Sequence, residues 1–344
     1  VCWPERNIQA SEIYSIKQQL AREIAAAAVE ASVVVDVVAD AAAVDVAADA
    51  GADAGVVVAE KTNTFQSQLD NLPSLGVGIG FREPFRSELF LSQDKVDFLE
   101  IVADHYLDAS KEKRRELDLL SNHFSIIPHA LDLSLGSAEG IDETYLNQLA
   151  ELIGYLQPPW WSEHIAFTKA GGISLGHLSP LPYTRESIET LCHNIEKVKR
   201  HIETPLILEN ITHTVEFPFS EMDEAAFLTE VLERTDCGML LDVTNLYTNS
   251  KNHEFDAFEF FERLPLDRIV QMHFAGGHWH QGTLIDSHSQ PTPPDVWSLM
   301  ERILGRVSVN GVILERDKNL PPFQSLVEEL GQMRQIGEEQ GQWV

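Results

Sequence analysis

The sequence predicts a (β/α)8 barrel preceded by a low-complexity, partly helical N-terminal extension. Three observations carry this expectation. Beyond residue 74, eight short apolar runs alternate with longer polar, helix-compatible stretches, the pattern of repeated βα units around a parallel sheet. Those units fill roughly 260 residues, the length of one such barrel. Histidine, aspartate and glutamate recur at the carboxyl ends of the runs, where the strands of a (β/α)8 barrel converge on one face.

Residues 1–74 stand apart in composition. Ala, Val and Asp dominate 24–59, and residues 1–74 carry 4 basic against 11 acidic side chains. The stretch 11–30 is rich in helix formers, with Ser11 placed to cap it and Ile13, Ile16, Leu20 and Ile24 on one face. Beyond it, β-branching over 33–38 favours a strand, whereas the spacing of Asp36, Asp40, Asp45, Asp49 and Asp53 favours a helix with an acidic stripe. The segment reads either as a flexible extension or as a fused, leader-like recognition segment. Glu30 and the five aspartates interrupt its apolar run, so it offers no uncharged window of about 18 residues to span a bilayer. It also lacks the basic start and compact apolar centre of a signal peptide.

The second region, 75–344, is read as the catalytic barrel domain. Its expected strands are 75–80, 96–102, 124–129, 160–165, 205–209, 238–242, 268–273 and 311–315, with helices over 143–156, 187–202, 224–234 and 294–304. Asp104 and His105 follow the second run, and His129 ends the third. Glu163 and His164 lie in the fourth, and Glu209 and Asn210 close the fifth. The sixth ends at Asp242 with Asn245 just beyond, the seventh at His273, the eighth at Glu315. Past His273 come two glycines and then His278, His280, Asp286 and His288. Asp242 also suits a helix cap and Asn210 a turn. Glu and His at the same point of successive units are not turn chemistry, which selects Asn, Asp and Gly.

Composition narrows the chemistry. The net charge of -29, from 25 basic and 54 acidic residues, repels phosphate backbones and anionic membrane surfaces, so no nucleic acid or membrane partner is expected. Cys2, Cys192 and Cys237 show no C-x-x-C spacing, which disfavours a disulfide framework or a thiolate zinc site and fits a cytoplasmic protein. Nitrogen and oxygen ligands suit iron, manganese or zinc. The candidates outnumber the four to six ligands of one ion, which points to two or three bridged ions. Gly76, Gly78 and Gly80 give G-x-G-x-G rather than a dinucleotide fingerprint.

Seven motifs, in order, carry a resemblance: V-G-I-G-F-R from Val77, D-F-L-E-I from Asp97, S-E-H from Ser162, L-E-N-I from Leu208, L-D-V-T-N-L-Y from Leu241, M-H-F-A-G-G-H with I-D-S-H, and L-E-R-D from Leu314. Together they resemble the multinuclear non-heme iron-dependent oxidative enzymes, the family that includes the methanobactin-biosynthesis oxidase. The resemblance implies a TIM barrel with two or three iron ions in mixed Fe(II)/Fe(III) states. It further implies O2 as co-substrate, oxidation of a ribosomally synthesised precursor peptide at cysteine, and a separate leader-binding partner protein. Carried over by position, the metal ligands are drawn from His129, Glu163, His164, Glu209, Asn210, Asp242, Asn245, His273, Asp286, His288 and Glu315. The family's H-x-E-N reads Val102, Ala103, Asp104 and His105 here, so this position lacks the histidine, and Asp104 and His105 are assigned to proton transfer or substrate contact. The alternative is a divalent-metal-dependent hydrolase or isomerase on the same barrel.

Overall fold

The computed structural model describes residues 71–343 together with Gln68. The expectations for the N-terminal helix and the Ala/Val/Asp stretch lie outside these residues.

Each of the eight expected runs forms a strand, and the eight close into a parallel barrel. In barrel order after β1 (Gly76–Gly80) come β2 (Phe98–Val102), β3 (Ser125–His129), β4 (Trp161–His164) and β7 (Leu206–Glu209). The circle continues through β8 (Gly238–Asp242), β9 (Ile269–Phe274) and β12 (Gly311–Leu314), which pairs back to β1 with Gly76 beside Gly311. The remaining strands among the described residues form two antiparallel hairpins outside the eight expected runs: β5 (Phe167–Ala170) with β6 (Ile173–Ser179), and β10 (His278–His280) with β11 (Thr283–Ile285).

The helices are α1 (Arg86–Leu91), α2 (Lys111–Ser121), α3 (Glu143–Leu156), α4 (Arg185–His201), α5 (Glu224–Thr235), α6 (Val243–Asn252), α7 (Ala257–Phe261), α8 (Pro294–Leu304) and α9 (Phe323–Glu339). Their starts follow from local chemistry. Ser110, Asp142, Thr184, Asp223 and Asp256 accept first-turn amides of α2, α3, α4, α5 and α7, meeting donors that have no partner within the helix. Apolar faces such as Leu146, Leu149 and Ile153 of α3, or Ile188, Leu191 and Ile195 of α4, are buried in the main core around the barrel.

Inside the barrel a separate plug of Phe98, Ile127, Trp160, Ile207, Leu240, Val270 and Ile313 is wholly buried, with Leu72 and Leu75 packed against it. Gly78 makes room for this plug: a Cβ there would meet the Phe98 carbonyl oxygen at 2.5 Å and the Phe98 and Ile313 side chains at 2.8 Å. Side chains two residues apart share a strand face, so the next inward layer is set by the plug itself. That layer holds the candidate ligands.

Candidate metal centre

At five plug positions, stepping two residues toward the carboxyl end replaces an apolar side chain with a carboxylate or an imidazole. Phe98 leads to Glu100, Ile127 to His129, Ile207 to Glu209, Leu240 to Asp242 and Ile313 to Glu315. All five are buried. Strand pairing sets them side by side: His164 is level with Glu209, Asp242 with His273, and His129 with Ser162. Residues spread over more than 200 positions therefore meet in one layer.

Two ligand groups result, and Glu209 belongs to both. In the first, Glu209 Oε2 lies 3.4 Å from His129 Nε2 and 3.2 Å from His164 Nε2. In the second, Glu209, Asp242, His273 and Glu315 converge, with His273 Nδ1 at 3.3 Å from Glu209 Oε1 and 3.2 Å from Glu315 Oε2. Glu315 Oε2 also stands 3.6 Å from His288 Nδ1, whose other ring nitrogen is 2.9 Å from Asp286 Oδ1. His288 has φ 47, a left-handed conformation that non-glycine residues adopt at a cost, and its carbonyl accepts the Asp317 amide.

The donor set fits a cation. Buried polar atoms nearly always have partners, yet Glu209 Oε2, Asp242 Oδ2, Asn245 Oδ1 and His273 Nδ1 make no hydrogen bond. An ion held among them satisfies such atoms, and nitrogen and oxygen donors suit iron, manganese or zinc. The electrostatics agree. Burial alone would raise the Glu209 carboxyl, but His273, His164 and His129 hold it well below its ordinary value. Burial, with Glu209 and Asp286 close by, drives the Asp242 carboxyl well above its own. Against burial, Glu209 and Glu163 lift the His164 imidazole to about 10. A bound cation inverts this balance, because it favours the charged carboxylate and the neutral imidazole.

The other expected residues lie in or around these groups. Glu163 accepts the Leu133 amide at 3.1 Å and the His164 amide at 2.8 Å, and stands 3.2 Å from His164 Nδ1, which leaves Nε2 to face Glu209. Asn210 spends its side-chain amide on the backbone of Asp242, accepting at 2.9 Å and donating at 3.0 Å. Asp242 divides its oxygens: Oδ1 caps α6 through the Asn245 amide, and Oδ2 stays without a partner. Asp104 accepts from the Leu131 amide and the Tyr145 hydroxyl, both at 2.9 Å, while His105 is exposed. His278 and His280 are exposed on the β10–β11 hairpin, His278 bonding Ser287, so the dense histidine run divides between centre and surface.

The sequence reading does not single out a second set. His273 Nε2 is 2.9 Å from Glu100 Oε2, which also accepts from Gln271 Nε2 at 2.7 Å, and Gln271 Oε1 accepts from Trp160 Nε1 at 2.8 Å. This buried chain turns Nδ1 of His273 toward Glu209 and Glu315, the carboxylate–histidine arrangement that orients metal ligands. The signal was present as Phe98-x-Glu100, the same step as Ile127-x-His129. Asp317 similarly accepts from Arg82 and sits 3.1 Å from His288 Nδ1.

Residues 76–338 match the family described as RiPP precursor modification enzyme MbnB/TglH/ChrH. A UPF0276 protein of Caulobacter vibrioides is 36% identical over 259 residues, covering 75% of this chain and 92% of its own length. Another from Vibrio vulnificus is 34% identical over 257 residues, covering 74% and 88%. Among solved structures, the apo form of 3-keto-D-glucoside 4-epimerase from E. coli aligns with TM-score 0.50 at 13% identity, over 76% of this chain and 99% of that one. That likeness concerns the barrel alone.

Proposed function

Since this chain belongs to the RiPP precursor modification enzyme family MbnB/TglH/ChrH, we propose that it oxidises a ribosomally made precursor peptide at cysteine, using two or three iron ions and O2. One observation supports this most directly: Glu209 is shared by two adjacent ligand groups, as a carboxylate bridging neighbouring ions would be.

His129, His164, Glu209, Asp242, His273 and Glu315 would hold the ions, with Asn245, Asp286 and His288 completing the set. When bound, the iron supplies redox equivalents and Lewis acidity. The chain's own residues orient and enclose. Ser162 Oγ at 2.7 Å from His129 Nδ1 and Glu163 Oε1 at 3.2 Å from His164 Nδ1 leave Nε2 of each ring for the centre, while Glu100 at 2.9 Å from His273 Nε2 leaves Nδ1 of that ring. The apolar plug closes the barrel below the centre to water, so substrate enters from the carboxyl-end face. There Asp104 positions Tyr145 and the chain at Leu131, and the exposed His105 offers an imidazole for substrate contact or proton transfer. A separate leader-binding protein presenting the peptide, or the N-terminal extension acting as a leader mimic, fits this reading. No helix among the described residues is long and apolar enough to cross a membrane.

The test is metal analysis with Mössbauer spectroscopy on protein isolated anaerobically, together with mass spectrometry of a precursor peptide encoded beside it. Two or three irons per chain, lost in Asp242→Ala and His273→Ala, with an oxygen-dependent mass change on the peptide, is the expected result. Stoichiometric zinc or manganese without iron, and no mass change, would move the assignment to a hydrolase or isomerase.

A further inference from the structure

A cavity opens in the segment that follows the shared ligand Glu209. It encloses about 590 Å³ between the segment after β7, the start of α5 and the α6–α7 region. Glu209 and His213 are four residues apart, so their Cα atoms are separated by at most about 14 Å. A smaller void shares Leu181, Tyr183 and Glu224 with the cavity and reaches Asn210 and Ile211, next to the shared ligand.

Its lining joins aromatic faces to negative charge. Tyr183, Phe217, Phe255 and Phe260 supply the rings. Five carboxylates, Glu216, Asp223, Glu224, Asp256 and Glu259, line it with one guanidinium, that of Arg263, which both oxygens of Asp223 already engage at 2.6 and 2.7 Å, and with the His253 imidazole, whose Nδ1 is 3.4 Å from Glu216 Oε1. His213, only 8% exposed, also lines the cavity. Its Nε2 is 3.3 Å from Glu224 Oε2. Its Nδ1 has no hydrogen-bond partner.

We infer that this cavity is a subsite for a cationic side chain, lysine or arginine, of the peptide substrate. Aromatic faces attract a desolvated cation, and the carboxylates outnumber the one guanidinium. The alkyl stem of such a side chain packs on the rings while its head meets Glu224, Glu216 and Glu259. A basic residue seated here anchors the chain so that neighbouring residues reach the centre. The inference rests on the peptide reading above and adds the substrate feature recognised.

The full chain is titrated at low salt with acetyl-Gly-Gly-Arg-Gly-Gly-amide and with the norleucine counterpart, binding being read by calorimetry. The arginine peptide is expected to bind about tenfold tighter, and Glu216→Gln/Glu259→Gln, two exposed substitutions, to reduce that preference about threefold. Equal affinities, no binding of the arginine peptide at millimolar concentration, or an unchanged preference in the double variant each overturn the subsite. Metal content is measured on the same samples. Selective binding by a chain holding no iron keeps the subsite and sinks the iron assignment; an iron-loaded chain without selectivity does the reverse.

Discussion

Nδ1 of His273 lies 3.3 Å from Oε1 of Glu209, while the other oxygen of that carboxylate faces His129 and His164. One side chain therefore serves both ligand groups. Glu209→Gln removes a charge and a shared ligand together, so metal content is expected to fall below one ion per chain, whereas His129→Ala loses a ligand of the first group alone. Elemental analysis of anaerobically prepared protein decides this. A full metal complement in Glu209→Gln would sink the shared-ligand assignment.

Glu100 acts on the centre through His273. In Glu100→Gln the side chain keeps its volume but loses the charge-assisted acceptor that fixes the ring. Metal affinity is expected to drop by about 10–100-fold, the usual cost of losing such a partner, with the fold retained. Competition against a chelator of known affinity measures it, and circular dichroism checks the fold. Unchanged affinity would show that the apolar walls alone hold His273 in place.

Metal-free protein should lose stability as pH rises above neutrality. Burial disfavours charge on His164, His273 and His288, but neighbouring carboxylates raise all three above their ordinary value, His164 to about 10. The stability each contributes is complete below the unfolded value of about 6.5 and is lost as pH climbs through the raised one. Glu209 and Glu315 are lowered despite burial, so their contributions are complete above about 4.3 and are lost as pH falls through the depressed values. Urea midpoints of chelator-treated protein should therefore fall from pH 6 to pH 9.5. Metal must displace the histidine protons, so its apparent affinity should rise over the same interval. A flat stability profile together with pH-independent metal uptake would contradict the assigned protonation.

Asp104 and His105 are adjacent yet should respond differently. Asp104 holds the Leu131 amide and the Tyr145 hydroxyl, so Asp104→Ala is expected to cost about 1–3 kcal/mol through donors left unpaired. His105 is exposed, and His105→Ala should change stability by no more than about 0.5 kcal/mol, so any loss of peptide modification it causes reports on substrate. Denaturant unfolding of both variants gives the comparison, and a reversed order would reject the division of roles.

Much of the barrel was legible in the chain. Eight apolar runs separated by helix-length stretches point to eight βα units, because a strand buried on both faces must be apolar and a covering helix needs enough residues to span it. The recurrence of His, Asp and Glu at the carboxyl ends of those runs likewise pointed to His129, His164, Glu209, Asp242, His273 and Glu315. Only closure of the barrel decided which of two alternating faces turns inward. It brought in Glu100 two residues beyond Phe98, set Gln271 and Trp160 behind it, and left His105 at the surface. Closure also divided the roles of Asp242, one oxygen to a helix and one to the centre, and of the run from His273 to His288, part ligand layer and part exposed hairpin. Sequence spacing carries the period of two that puts side chains on a shared face; the register between strands, which brings distant residues within about 3 Å, exists only once the last strand pairs with the first.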